Sequence, residues 1–260
     1  MSIQPLKSKL ALITGASSGI GLATAESLAS RGCDLVITGR RQSLLEDLAV
    51  KWSKAHGIRV TALSFDVADS AATIRALDSL GAKAETLSIL VNNAGLAVGS
   101  AKVQDLDLTD VDTMIDTNVK GLLTVTRWCL PRFIARGEGH VVNVGSVAGR
   151  WVYPGGAVYC ASKFAVRAIS EGMRMDLLGT PVRVTNIEPG MVETGFSEVR
   201  FGGDKEKAKA VYKGMTPLRG EDIADTIVWC LERPAHVNIQ ELVIYPTDQA
   251  CVGNAYVHRR

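Results

Sequence analysis

The chain has no CxxC pair, no run of five or more Lys/Arg and no stretch of 18 apolar residues. Each absence argues against a class of function. Five cysteines, Cys33, Cys129, Cys160, Cys230 and Cys251, form an odd set without metal-ligand spacing, so neither a disulfide framework nor a zinc site is expected. A reducing, cytoplasmic setting fits that usage best. A formal net charge of +2 is too small to create a field for nucleic acid or a membrane surface. The first apolar run stops at Ile13 with Gly15 close behind, shorter than the core of a signal peptide, and no run is long enough to span a bilayer. No Gly/Ser linker or low-complexity tract divides the 260 residues, so one domain handling a small molecule, without a metal, is the expectation.

What is present is ample core material, with 47% hydrophobic residues, and 25 glycines for tight turns. Short apolar runs recur at 10–14, 34–39, 60–67, 87–95, 140–146, 182–190 and 241–246, separated by longer helix-like stretches. Strand-like pieces alternating with helices imply βαβ units and a parallel sheet. The runs are rich in Val, Ile and Leu on both faces, as strands covered by helices on both sides should be. The fold expected is therefore α/β: a Rossmann-like, doubly wound, parallel seven-stranded sheet in a single domain. Helices closing at Gly32 and Gly137 fit it, the latter ending a helical stretch over 116–137. Only 191–219 breaks the alternation; it is long for a connection and marks an inserted substrate lid, the alternative for part of it being a solvated surface helix.

After the first strand comes TGASSGIG, with Gly15, Gly19 and Gly21. Glycines there let a pyrophosphate approach the backbone, where the amides of a helix N-terminus favour its charge. The second strand ends in TGRR, with Arg40 and Arg41 where an NAD site would carry an acid. Guanidinium groups suit a 2′-phosphate, which favours NADP; the alternative is that both merely start the next helix. Asp66, ending the third strand, is placed to accept from an adenine amino group with Val67 beside the ring, or simply to cap a helix.

Tyr159 precedes Lys163 by four residues, so both lie on one helical face. A nearby ammonium favours the phenolate, and the expectation is a Tyr159 pKa below its ordinary value, letting it act as acid or base near neutral pH. Ser146, at a strand end, is placed to hold a substrate oxygen. With NNAG at 92–95, Asn118, YCASK and Pro189-Gly190, these motifs occur in the order and spacing of the short-chain dehydrogenase/reductase family, which the chain resembles over nearly its whole length. The resemblance implies an active site of Asn118, Ser146, Tyr159 and Lys163, with Asn118 in a water-mediated proton link to Lys163. It also implies NADP contacts from Gly15, Ser17, Ser18, Gly19, Ile20, Gly21, Arg40, Arg41, Asp66, Val67, Asn93, Ala94, Gly95, Tyr159, Lys163, Pro189, Gly190, Val192 and Thr194. A homotetramer with the Asn118 and Tyr159 helices at an interface belongs to the same implication.

The segments GSVAG, YPGGAVYCASKFAV, IEPGMVETGFSEVRFGGD and PAHVNIQELVIYPTDQA look like the branch of NADP-dependent 3-hydroxy acid dehydrogenases acting on serine, 3-hydroxyisobutyrate and malonic semialdehyde. Sulfoacetaldehyde reductases are similar over the same segments; 3-oxoacyl or steroid-type reductases and a non-catalytic NADP sensor are the remaining alternatives. An anionic substrate needs a cation, for which Arg200 is the first candidate and Arg150 the second, unless both are rim residues. Ser146 and Tyr159 would complete the substrate contacts.

Overall fold

The computed structural model describes residues 5–253 and 256–260. Among them, strands β1 (Leu10–Ile13), β2 (Asp34–Gly39), β3 (Val60–Ser64), β4 (Leu87–Asn92), β5 (Gly139–Val144), β6 (Val182–Pro189) and β7 (Glu241–Ile244) form one sheet in the order 3-2-1-4-5-6-7. Every pairing is parallel. The seven apolar runs thus became seven strands, each stopping up to three residues before its run does. Those trailing residues carry the site.

The central strands β1, β4, β5 and β6 are buried along their whole length, which their two-sided apolar sequence requires. Alternation divides them between two cores. Ala11 and Ile13 of β1 pack with Ala25 and Leu28 of helix α1 (Gly19–Ser30), Trp52 of α2 (Gln42–His56) and Ile223 and Ile227 of α9 (Gly220–Leu231). Leu10 and Leu12 face the other way, toward Leu77 of α3 (Ser70–Asp78), Phe133 of α5 (Leu122–Arg136) and Met173 of α6 (Ala157–Asp176).

The helical stretch expected over 116–137 is not one helix. It begins as a π-helical turn (Asp116–Gly121) that continues α4 (Leu108–Ile115) and leads into α5, which closes on Gly137 as expected. Gly121 lies where Val67 leaves no room, since a Cβ would sit 2.9 Å from the Val67 carbonyl oxygen. Thr117 and Asn118 are buried within the widened turn.

Residues 191–219 leave the sheet after β6, and their two ends meet before α9 begins. Leu218 N–H donates to the Met191 carbonyl and Glu193 N–H to that of Leu218, so the two ends are joined. Between them lie α7 (Phe196–Arg200) and α8 (Lys205–Ala210). The surface helix expected at 204–213 is present in shortened form as α8.

Candidate active site

Strand order reverses between β1 and β4, and the crevice at their C-terminal ends is where a doubly wound sheet binds ligands. The glycine turn forms one wall. Gly19 has φ +55°, a left-handed backbone that L side chains resist. Gly21 has no room for a side chain, because a Cβ would lie 2.3 Å from Asn93 Nδ2. Asn93 Nδ2 donates to the carbonyls of Thr14 and Gly15 at 2.9 and 3.1 Å, and the Thr14 hydroxyl accepts from the amides of Asn93 and Ala94. The NNAG strand end and the glycine turn are therefore stitched together, through a threonine the sequence reading did not single out. Ser17, Ser18 and Ile20 complete the turn into α1, and the Ser18 side chain does not cap the helix. The first-turn amides keep their capacity for an anion.

At the end of β2, Arg41 Nη2 donates to the Ser17 hydroxyl at 2.8 Å and to its carbonyl at 3.1 Å. Arg40 reaches within 3.7 Å of Asp66 with two-thirds of its side chain (66%) exposed. Two guanidiniums and a hydroxyl at one strand end make a donor set suited to a phosphate. Asp66 also accepts from the Ala68 amide, and Val67 is buried against Gly121. Thr194 lies over the glycine turn, 3.2 Å from where a Gly19 Cβ would be. Its hydroxyl accepts from the Phe196 amide, and Val192 bridges to Leu218. Gly190, following Pro189, donates its N–H to the Ile244 carbonyl at 2.7 Å.

The four catalytic candidates meet in the same crevice. Lys163 is buried on α6, and its Nζ donates to the carbonyl of Val144, at the end of β5, at 2.8 Å. Asn118 holds the strand end opposite: its Oδ1 accepts from Leu96 N, and its Nδ2 donates to the Leu96 carbonyl and to the Ser162 hydroxyl. Its Oδ1 also comes within 3.2 Å, and Lys163 Nζ within 3.6 Å, of the place a Gly95 Cβ would take, so glycine is the residue that fits there. The Tyr159 hydroxyl faces the Ser146 side chain, whose hydroxyl accepts from Ala148 N. Its ring packs on Phe196 at 5.6 Å between centroids.

The electrostatics differ from the sequence expectation. Lys163 Nζ is 5.9 Å from the Tyr159 ring centroid and turned to Val144. Burial pushes the Tyr159 phenol above its ordinary pKa, with the Ser146 hydroxyl and Arg200 working against that. Burial also lowers Lys163, to about 8. Desolvation, rather than mutual attraction, dominates both groups.

Arg200 and Arg150 separate. Arg200 Nε donates to the Gly99 carbonyl at 3.2 Å, while the Gly99 amide donates to the Arg200 carbonyl, and its guanidinium lies 5.3 Å from the centre of the Tyr153 ring. With Tyr159, Met114, Asp107 and Asp110 it lines a cavity of ≈ 30 Å³, room for about one water. Arg150 points elsewhere, with its guanidinium bonded to Glu188 and Glu241. Two carboxylates neutralise it, which removes it as an anion receptor and corrects the second of the two arginine candidates. Tyr153, Phe196 and Asp110 were not singled out from sequence; the only signal was an aromatic ring inside a glycine-rich turn.

Residues 9–203 match the short chain dehydrogenase family. The chain belongs to that family. It is 47% identical to sulfoacetaldehyde reductase 2 of Chromohalobacter salexigens, over 94% of this chain and 96% of that protein. Serine 3-dehydrogenase of Agrobacterium fabrum is 46% identical over 93% of this chain and 95% of that protein. The closed form of serine dehydrogenase complexed with NADP+ has a TM-score of 0.89 and 43% identity, covering 96% of this chain and all of that one (100%).

Proposed function

We propose that this member of the family transfers a hydride between NADP(H) and a small anionic 3-hydroxy acid or its semialdehyde, of the serine, 3-hydroxyisobutyrate and malonic semialdehyde type. The observation that carries it is Arg200, held by Gly99 over the cavity that Tyr159 lines. NADP agrees with the arginines at the end of β2 and with relatives named for that cofactor.

Bound NADPH supplies the hydride and NADP+ accepts it. Ser146 holds the substrate oxygen, and Tyr159 gives it a proton on reduction or takes one on oxidation. Burial keeps Tyr159 protonated through the neutral range, the form that donates. Lys163 presents an ammonium near the position a cofactor ribose would occupy, and Asn118 fixes the loop beside it. Residues 191–219 act as a lid: their joined ends form a hinge, and the Arg200–Gly99 contact closes it over the cavity. The Arg200 guanidinium beside that cavity favours a small anion over a 3-oxoacyl chain or a steroid, and all four catalytic types are in place, unlike a sensor that has lost turnover.

Sulfoacetaldehyde reduction is the second reading, favoured by the 47% identity above. Asp110 tilts the choice toward a serine-type substrate. Its Oδ2 is 3.9 Å from where a Gly99 Cβ would sit, and with Asp107 it lines the cavity that holds Arg200, so the chain offers a cation and carboxylates side by side. A zwitterion uses both; a sulfonate uses only the first.

A panel of serine, 3-hydroxyisobutyrate and isethionate with NADP+, and of malonic semialdehyde, sulfoacetaldehyde and an uncharged aldehyde with NADPH, tests this by absorbance. The anionic compounds should lead in kcat/KM, and Arg200→Gln should lower their values by about 10²-fold while leaving the uncharged aldehyde within threefold. Preference for the uncharged aldehyde in the native chain would sink the Arg200 reading. Asp110→Asn should penalise serine alone. Arg40→Ala should raise KM for NADPH by about 10- to 100-fold and barely change that for NADH. Equal effects on both cofactors would remove the phosphate from the argument.

The assembly proposed is a homotetramer. Leu123 and Ile134 of α5 and Phe164 and Met175 of α6 are exposed apolar side chains, a surface suited to a second copy, and sedimentation velocity measures the result. Among the described residues no helix is long and apolar enough to cross a membrane.

A further inference from the structure

Arg150 ends the short turn Val147–Gly149 that begins at Ser146. Its guanidinium donates to Glu188 of β6 and to Glu241 of β7. Arg167 of α6 donates to the same Glu241 at 2.9 Å and lies 3.9 Å from Glu188. Tyr159, Lys163 and Arg167 follow one another at four-residue steps, so the third group shares a stripe of α6 with the two catalytic candidates. The Glu188 side chain has no exposure (0%) and accepts also from Asn186 Nδ2 at 2.7 Å. Asn186 in turn lies against the residue before Ser146, its Oδ1 2.6 Å from where a Gly145 Cβ would be.

Two guanidiniums thus face two carboxylates, and the four groups join three parts of the site: the Ser146 turn, the Tyr159 helix and the strand that leads into Pro189 and Gly190. None of the four lines the cavity that holds Arg200. Stability is a poor reason for such a cluster, because exchanging a buried ion pair for apolar side chains of similar volume is often neutral or favourable. Geometry is a better one. The Ser146 and Tyr159 hydroxyls must approach one substrate oxygen from separate elements, and a small error in their placement costs about 10²-fold in rate.

We propose that Arg150, Glu188, Glu241 and Arg167 form a positioning network that sets the Ser146 hydroxyl against the Tyr159 hydroxyl without touching substrate. The inference rests on the acid/base reading above. It gives Arg150 a role that its place in the sequence, nine residues before Tyr159, did not reveal.

The decisive variant is Arg150→Met combined with Glu188→Leu, which removes one cation and one anion together and keeps the Arg167–Glu241 pair. The full chain is assayed with NADPH, with NADPH deuterated at the transferred hydrogen, and for melting temperature. The expected result is a folded protein whose kcat falls about 10- to 100-fold. KM for NADPH should stay within threefold, and the isotope effect on kcat should rise as hydride transfer becomes the slow step. A folded double variant with kcat within twofold of wild type overturns the network. So does a loss that titrates as fewer active molecules, each with normal kcat. Should the double variant fail to fold, Glu241→Gln decides in the same way: a lower kcat at unchanged KM supports the proposal, and wild-type kcat refutes it. Failure of the underlying acid/base reading looks different, since the Tyr159→Phe variant would then turn over as fast as wild type.

Discussion

Tyr159→Phe lowers kcat about 10³- to 10⁴-fold in both directions, while its melting temperature stays within about 4 °C of wild type. The activity loss follows from the one atom removed. The phenol faces Ser146 and carries the proton that the proposed step transfers, which phenylalanine lacks. Stability changes little because the ring still packs on Phe196 and Ser146 still accepts from Ala148 N, so about one hydrogen bond's worth, roughly 1 kcal/mol, is at stake. The same hydroxyl sets the pH dependence. Burial raises its pKa, so the proton is present throughout the neutral range and reduction should be flat there. Oxidation of the alcohol needs the phenolate and should climb as pH rises. Stopped-flow absorbance over a pH series in both directions checks this, and a reduction rate that falls between pH 5 and 7, below the range where Lys163 loses its proton, would contradict the raised pKa.

Legibility from sequence divides along a physical line. The sheet was legible because a strand covered on both faces must be apolar on both, and β1, β4 and β5 are so along their whole length. The glycine turn was legible because only glycine fits where Asn93 reaches over Gly21. What the sequence hides is long-range. The partners of Arg150 are 38 and 91 residues away, and Gly99 is 101 residues from Arg200, so no local pattern told the two arginines apart. The π-helical turn at Asn118 depends on Val67 pressing on Gly121 from another element. The direction of the Tyr159 shift was misjudged because spacing shows a cation nearby but not how much water both groups have lost. In this crevice desolvation outweighs attraction.

Lys163 gives the sharpest test of that last point, because its substitution should harm activity and help stability together. The side chain is 7% exposed and donates one hydrogen bond, to the Val144 carbonyl, with no carboxylate among its partners. Burial lowers its pKa from 10.5 to about 8. Between those values the unfolded chain holds a proton that the folded chain has released, so stability rises with pH across that window. Below about pH 8 both states are charged, and the full cost of burying the ammonium, on the order of 3 kcal/mol, weighs on the fold. Lys163→Met fills the same space without a charge and gives up one hydrogen bond of about 1 kcal/mol. Without added cofactor the variant should therefore melt about 4 to 8 °C above wild type at pH 7, and the gap should close as pH approaches 10. On the reading proposed above its kcat should fall by at least about 10²-fold, since the cation that would hold the ribose is removed. Calorimetry at pH 7 and pH 10 decides: a variant less stable than wild type at pH 7 would mean that the Val144 contact outweighs desolvation, and that Lys163 holds the strand end more than it strains it.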